Sequence, residues 1–358
     1  MIMGKGPALL RLNNHKRVMT QLRRLRVTSR QDLAHILSLS KNTVSLIVDE
    51  LLEKSLLQEL GPISVAAAGR PKIEIALRPE QLKSAGVMVE QTRRVDTANP
   101  KKLLDEVASL CGELAEKHPQ LLGIGLGFPG IVDPERGWMH LSTHLGWQDV
   151  DLLTPIRQKV DVPLRVMNNV KASALLAVQQ LGLRAAGSHF YLRIAEGMGG
   201  ALVQQGEVVT GNSWTAGEAG HLSVQPDGPR CRCGRQGCAE ALLSKPAIEQ
   251  QLAQRRPGLS WQTRDEAPKV VDEVMQQAGG FLAKAMSQII LLLNPATIII
   301  DAPWNAHPMF CDTVRKRIAS STPAFTFQNT TLHFLQTRLD PAVGLSLAVI
   351  EQYEQRLG

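Results

Sequence analysis

Aromatic residues are scarce: phenylalanine, tyrosine and tryptophan make up 4% of the 358 residues, with two tyrosines in all. Hydrophobic residues still reach 44%, ample for a globular core. No apolar run attains the ~18–20 residues of a membrane span. The densest stretch, residues 289–300, is broken by Asn294 and Pro295. No secretory leader is expected from the first residues, because Arg11, Asn13, Asn14, Lys16 and Arg17 fall where an apolar segment would continue. These absences lead to the expectation of a cytoplasmic, reduced protein. Cysteine is rare as well, with five in the chain.

Three of those five lie within eight residues, in Cys231-Arg-Cys233-Gly-Arg-Gln-Gly-Cys238-Ala-Glu240. His221 ends the preceding Gly217-Glu218-Ala219-Gly220-His221 turn. Three thiolates and one imidazole complete a tetrahedral zinc set, and a closed set leaves no position for a reactive water, so the zinc is expected to be structural. Gly234 and Gly237 let the short loop fold back. The alternative, a disulfide plus a spare thiol, needs an oxidising compartment. Such a metal would pin Glu218 and His221 beside Glu240, a constellation suited to a hydroxyl-rich ligand such as a sugar; support of the metal loop by the two carboxylates is the alternative role. Cys111 and Cys311 are expected to fill core.

Charge is unevenly spread. Residues 1–80 carry 13 Lys and Arg against 7 Asp and Glu; the other 278 carry 27 against 26. A basic module joined to a neutral one points to a polyanion for the first. Residues 11–25 have helical apolar spacing. Ser29-Arg-Gln-Asp32 opens a second helix. Ser40 caps a third, from Lys41 to about Lys54, with Val44, Ile47, Val48 and Leu51 inward. Lys41, Asn42, Thr43, Ser45 and Leu46 occupy its first turns, where a recognition helix meets base edges. Strand-like segments Leu56–Leu60 and Ile73–Leu77 flank Gly69-Arg70-Pro71-Lys72, so Arg70 and Lys72 would sit at a wing tip near a minor groove. Residues 1–80 therefore read as a winged helix-turn-helix that binds DNA.

Beyond residue 80, strand-like and helical stretches alternate, the mark of an α/β architecture. Gly86–Val89, Leu122–Phe128, Pro163–Met167, Phe190–Ile194 and Thr297–Asp301 read as strands. Pro100–Lys117, Lys171–Leu181 and Pro268–Leu293 read as helices. Gly125-Leu-Gly-Phe-Pro-Gly130, Asn168-Asn169, the Gly197–Gly200 turn, Gly217–His221 and the cysteine loop resemble the ROK family, which groups bacterial repressors and sugar kinases. The wing resembles that of its sugar-responsive repressors.

The resemblance implies an actin/hexokinase-like body over residues 81–358, with one subdomain at 81–167 plus 342–358 and another at 168–341. It implies zinc on His221, Cys231, Cys233 and Cys238. Effector contacts would come from Asn168, Asn169, Glu218, His221 and Glu240, with Gly130 lining the cleft. ROK kinases carry Asp where this chain has Asn169, an amide with no useful basicity. Their phosphate-binding glycine turn has no counterpart after Gly86. Their second phosphate turn is replaced by Ala195-Glu196-Gly197, and the adenine-side glycines by Asp301-Ala-Pro-Trp304. The expectation is a non-enzyme: a regulator, more a repressor than an activator, of carbohydrate genes. It would bind operator DNA as a homo-oligomer and answer to a sugar or sugar phosphate. The alternatives are a sugar kinase with residual activity, or a regulator answering to a protein with a vestigial sugar cleft.

Overall fold

The computed structural model describes residues 27–54, 56–63, 72–77, 97–119, 121–183 and 186–357, and part of 11–25. The described positions between 11 and 25 are helical (α1). They are followed by β1 (Val27–Ser29), α2 (Arg30–Leu37), α3 (Lys41–Glu53), β2 (Leu57–Ile63) and β3 (Lys72–Leu77). Serine caps start both complete helices: Ser29 accepts the Asp32 N–H at 3.1 Å and Ser40 that of Thr43 at 3.0 Å. Ser38 turns left-handed at φ 52° and ends α2. Val18, Met19 and Leu22 pack with Leu33, Val44, Ile47, Val48, Leu51 and Ile75. Leu25 instead faces out. The sequence implies a two-stranded wing, whereas the sheet has three strands in the order β1-β3-β2. Three residues of β1 are too short a run for a period-2 pattern to register. The wing tip that joins β2 to β3, Arg70 included, and the strand expected at Gly86–Val89 lie outside the described residues.

Next come α4 (Pro100–Lys117), β4 (Ile124–Phe128), β5 (Ile131–Asp133), β6 (Trp138–Ser142), β7 (Trp147–Asp151), α5 (Thr154–Arg157) and β8 (Leu164–Asn168). β4 and β8 pair in parallel, and β5, β6 and β7 form an antiparallel meander. Leu104, Phe128, Trp147, Ile156 and Val166 make their shared core.

The remainder is α6 (Asn169–Gln180), β9 (Ser188–Ile194), β10 (Met198–Gln204), β11 (Glu207–Val208), α7 (Ala239–Leu243), α8 (Lys245–Arg255), α9 (Pro268–Leu293), β12 (Thr297–Asp301), α10 (Pro308–Ser321), α11 (Ala324–Gln328), β13 (Thr331–Phe334) and α12 (Pro341–Leu357). Five strands run in the order β11-β10-β9-β12-β13. β10 is antiparallel to both neighbours and β12 parallel to both. Side chains alternate across this sheet. Phe190, Leu192, Ile194, Ile298 and Ile300 enter the core made with α9 and α10. Tyr191 and Ile299 enter the one made with α6 and α12. Both faces are covered, so β12 is buried at all five positions. α12 crosses α6 so closely that a Cβ on Gly344 would lie 2.0 Å from the Ala172 carbonyl oxygen. Among the described residues, no helix is long and apolar enough to cross a membrane.

Candidate functional site

The loop between β11 and α7 builds the candidate metal centre. Gly234 and Gly237 take φ +89° and +70°, and a Cβ on Gly237 would fall 1.7 Å from the Gln225 carbonyl oxygen. Only glycine fits there, and the close approach folds the cysteine loop onto the 223–225 segment. The Cys231 N–H donates to the Arg235 carbonyl at 2.7 Å, closing the turn that carries Cys233. One ligand atom each from His221, Cys231, Cys233 and Cys238 then lies within 4.8 Å of all the others. The Cys233 and Cys238 sulfurs are 3.6 Å apart, and Cys231 Sγ is 3.7 Å from His221 Nδ1. A tetrahedron with ~2.3 Å zinc–sulfur bonds has edges of about 3.8 Å. A disulfide would need about 2.05 Å. The donor set therefore fits one tetrahedral metal ion held by all four residues.

His221 serves two sides with two nitrogens. Nδ1 faces the thiols, and Nε2 lies 3.8 Å from Glu218 Oε2. Glu240, in the first turn of α7, braces the loop: Oε2 accepts the Met198 N–H at 2.9 Å, and Oε1 receives the Cys231 thiol at 3.7 Å. Burial raises the Glu218 carboxyl above the usual range, against the pull of His221 and Lys171.

Asn168 and Asn169 stand at the start of α6, which begins two residues earlier than the apolar pattern implies because Asn168 is its cap. The Asn168 Oδ1 accepts the N–H groups of Val170 and Lys171 at 2.8 and 3.1 Å, and its Nδ2 donates to the Gly130 carbonyl at 2.8 Å. This amide thus ties the helix start to the Gly130 turn. Asn169 occupies the first helical position, close to Gly127.

Three features of this region are not legible in the sequence motifs. Lys171 is buried, and its ammonium donates to the Trp214 carbonyl. Trp214 holds φ 58°, costly for a bulky residue, and stacks on His140 of β6 with ring centroids 5.4 Å apart. Arg165 of β8 opens onto the same cavity as Lys171. The available signal was a charge directly before a largely apolar helical run, Ala172–Val178.

The departures from a kinase pattern also have places. Glu196 sits on the β9–β10 turn, paired with Lys245 at 3.7 Å, and the next amide but one, that of Met198, is already taken by Glu240. At the end of β12, Asp301 is buried, receives the Tyr191 hydroxyl at 2.6 Å, and has Arg193 and Arg338 at 3.8 and 3.6 Å. Trp304 is buried against Trp261 and Phe310. Cys111 and Cys311 pack with core residues, and burial pushes the Cys111 thiol up to about 11.

On the N-terminal unit, Lys41 and Asn42 are exposed at the start of α3, while Thr43 and Ser45 are half-buried beside them. The Thr43 hydroxyl shares a 2.8 Å hydrogen bond with Ser40. Leu46, at 66% exposure, projects from the same turns although it is a large apolar side chain. Lys72 opens β3; its side chain, like Arg70, is outside the described residues.

Together these parts make an N-terminal unit of α1–α3 and a three-stranded sheet, and an α/β body with a braced cluster of one histidine and three cysteines. A family model described as the ROK family matches residues 63–339, and the chain belongs to that family. It is 24% identical to the xylose repressor of Bacillus subtilis over 373 residues, 95% of each chain. It is also 24% identical to the DNA-binding transcriptional dual regulator NagC of Escherichia coli over 308 residues, 76% of each. In fold it is similar to a ROK family transcriptional regulator, a homolog of the E. coli MLC protein. That likeness has a TM-score of 0.78 at 23% identity, covering 97% of this chain and 98% of the other. A ROK hexokinase from Thermus thermophilus shares the body, with a TM-score of 0.58 at 24% identity, covering 71% and 88%.

Proposed function

We propose that the protein is a sequence-specific DNA-binding regulator, acting as a repressor of carbohydrate-metabolism genes. A sugar-type effector held in a cleft that no longer phosphorylates would control it. One observation carries this: the position where ROK kinases hold their general base is the amide Asn169, in a chain whose α3 presents an open polar face. Loss of a general base costs ~10²–10⁴-fold. Phosphoryl transfer depends chiefly on electrostatic stabilisation, and a carboxylate at Glu196 works against it. Trp304, buried in the core with α9 and α10, follows β12 in the segment where the resemblance puts the adenine-side glycines.

Residues 1–80 would be the DNA module, and the body would comprise 81–167 plus 342–358 and 168–341. Zinc on His221, Cys231, Cys233 and Cys238 would be structural, holding Glu218 and Glu240 in place. The effector would lie between Asn168, Asn169 and these carboxylates, and His221 can meet it through Nε2. Lys41, Asn42, Thr43, Ser45, Arg70 and Lys72 would contact DNA. Two copies would place two α3 helices in successive major grooves, in the cytoplasm where the DNA is. Release requires the effector to prefer the free form, by about 5.5 kcal/mol for a full switch.

The test is operator binding by fluorescence anisotropy, using the DNA upstream of its own gene and of the genes that flank it, with and without a sugar panel. Nanomolar-range binding that a sugar weakens is expected. Sugar-dependent ATP turnover in a coupled assay would sink the proposal in favour of a kinase. A lack of stabilisation by any sugar would favour a protein effector.

A further inference from the structure

A cavity of about 210 Å³ adjoins the cleft. Val132 lines it just past the Gly130 turn, with Arg165 of β8, Asn168 and Lys171 of α6, and Thr210 after β11. Two cations meet there with little to satisfy them. Lys171 is 6% exposed and, among the described residues, spends one donor on the Trp214 carbonyl and forms no ion pair. An ammonium has three donors. Arg165 has its Nε fully buried without a partner, and its guanidinium makes no hydrogen bond or ion pair among the described residues. Glu207 and Glu351 reach the same wall and are already partnered. A buried charge is costly unless it is paired and hydrogen-bonded. Burial holds the Lys171 ammonium below the ordinary lysine range, partly offset by Glu218. Two under-satisfied cations around one cavity, with Asn168 shared between cavity and cleft, form a receptor lacking its anion.

We propose that this cavity seats the anionic group of the effector, bound by Lys171 and Arg165 while the sugar ring lies in the adjoining cleft. The effector is then an acidic sugar, carrying a carboxylate or a phosphate. This rests on the effector cleft proposed above. Charge-assisted hydrogen bonds are the strong ones, and a bidentate guanidinium adds geometric selectivity for either oxyanion.

Titration calorimetry on the full chain tests it. Three sets are compared: neutral hexoses, pentoses and N-acetylhexosamines; their phosphates; and the matching uronic and aldonic acids. One of the two acidic sets should bind at least about tenfold tighter than its neutral parent, and which set binds separates phosphate from carboxylate. Lys171→Met and Arg165→Gln should each weaken that binding about tenfold or more. Lys171→Met should also melt no lower than wild type, because it removes an under-paired buried charge; a purely structural lysine would lower the midpoint. Neutral sugars binding as tightly as acidic ones, or acidic binding untouched by both substitutions, overturns the proposal while leaving a sugar sensor intact. No binding by any set overturns both.

Discussion

His221 shows how much one side chain can join: its two nitrogens face different partners, thiols on one side and Glu218 on the other. Losing one of the proposed metal ligands should therefore disturb both. Cys238→Ser is expected to abolish stoichiometric zinc, measured by inductively coupled plasma spectrometry. Structural zinc sites carry ~10 kcal/mol or more of folding energy in small domains. In a body this large, where each kcal/mol moves the midpoint by ~2–4 °C, the variant should melt at least about 5 °C lower. His15 supplies a second residue-scale prediction. It is buried in the N-terminal core with neither ring nitrogen hydrogen-bonded and Glu50 at 3.9 Å. Burial lowers its pKa, opposed by Glu50 and assisted by Lys54 and Arg11. The unfolded chain then takes up a proton near pH 6.5 that the folded state refuses. The stability that neutral His15 confers is full above that pH and lost as pH falls toward the lower folded value. The midpoint of the N-terminal unit should fall on acidification below about 6.5, and His15→Leu should flatten that slope. A slope unchanged by His15→Leu would assign the effect elsewhere.

At the scale of elements, α3 and α6 are both set by their caps. Ser40 was legible as a cap because the pattern on its C-terminal side is apolar at helical spacing. Asn168 was not: its caps on Val170 and Lys171 are local, but Lys171 interrupts the apolar pattern after it, and its second tie, to Gly130, is far away in the sequence. On α3, Lys41 and Leu46 should behave differently. Lys41→Ala should weaken specific and non-specific DNA binding alike and lower the salt slope by about one. Leu46→Ala should cost ~1 kcal/mol or more at one base pair only, since an exposed apolar side chain in the groove suits a thymine methyl. Arg70→Ala should weaken the operator and spare random DNA if the wing enters a narrow minor groove. Filter-binding titrations against single-base operator variants separate the three. The loop that carries Trp214 is the element the sequence hid most completely, since its stack on His140 joins residues 74 positions apart.

At the scale of the molecule, reading a two-fold operator requires a dimer, and the body exposes an apolar surface that could serve one. Leu291, Leu292 and Leu293 end α9 in the open, and Phe325 of α11 is 81% exposed. Large apolar side chains left in the open are the candidates for contact between two copies. Leu292→Asp and Phe325→Asp should each shift the protein toward monomer in sedimentation and weaken operator binding by about 100-fold or more, through loss of one of two half-sites. Unchanged sedimentation in both would place the interface elsewhere.

Local chemistry alone determined the caps of α2 and α3, the apolar face of the N-terminal unit, the buried run of β12 and the tetrahedral donor set. Each depends on neighbours within a few residues, or on spacing, and these the sequence states directly. Tertiary structure decided the rest: that β1 completes the N-terminal sheet, that Asn168 ties α6 to Gly130, that Glu240 braces the Met198 turn, and that Arg165 and Lys171 share one cavity. Those facts rest on segments brought together by burial across long loops. No local pattern encodes which distant groups will be left facing one another, or which charges will be left short of a partner.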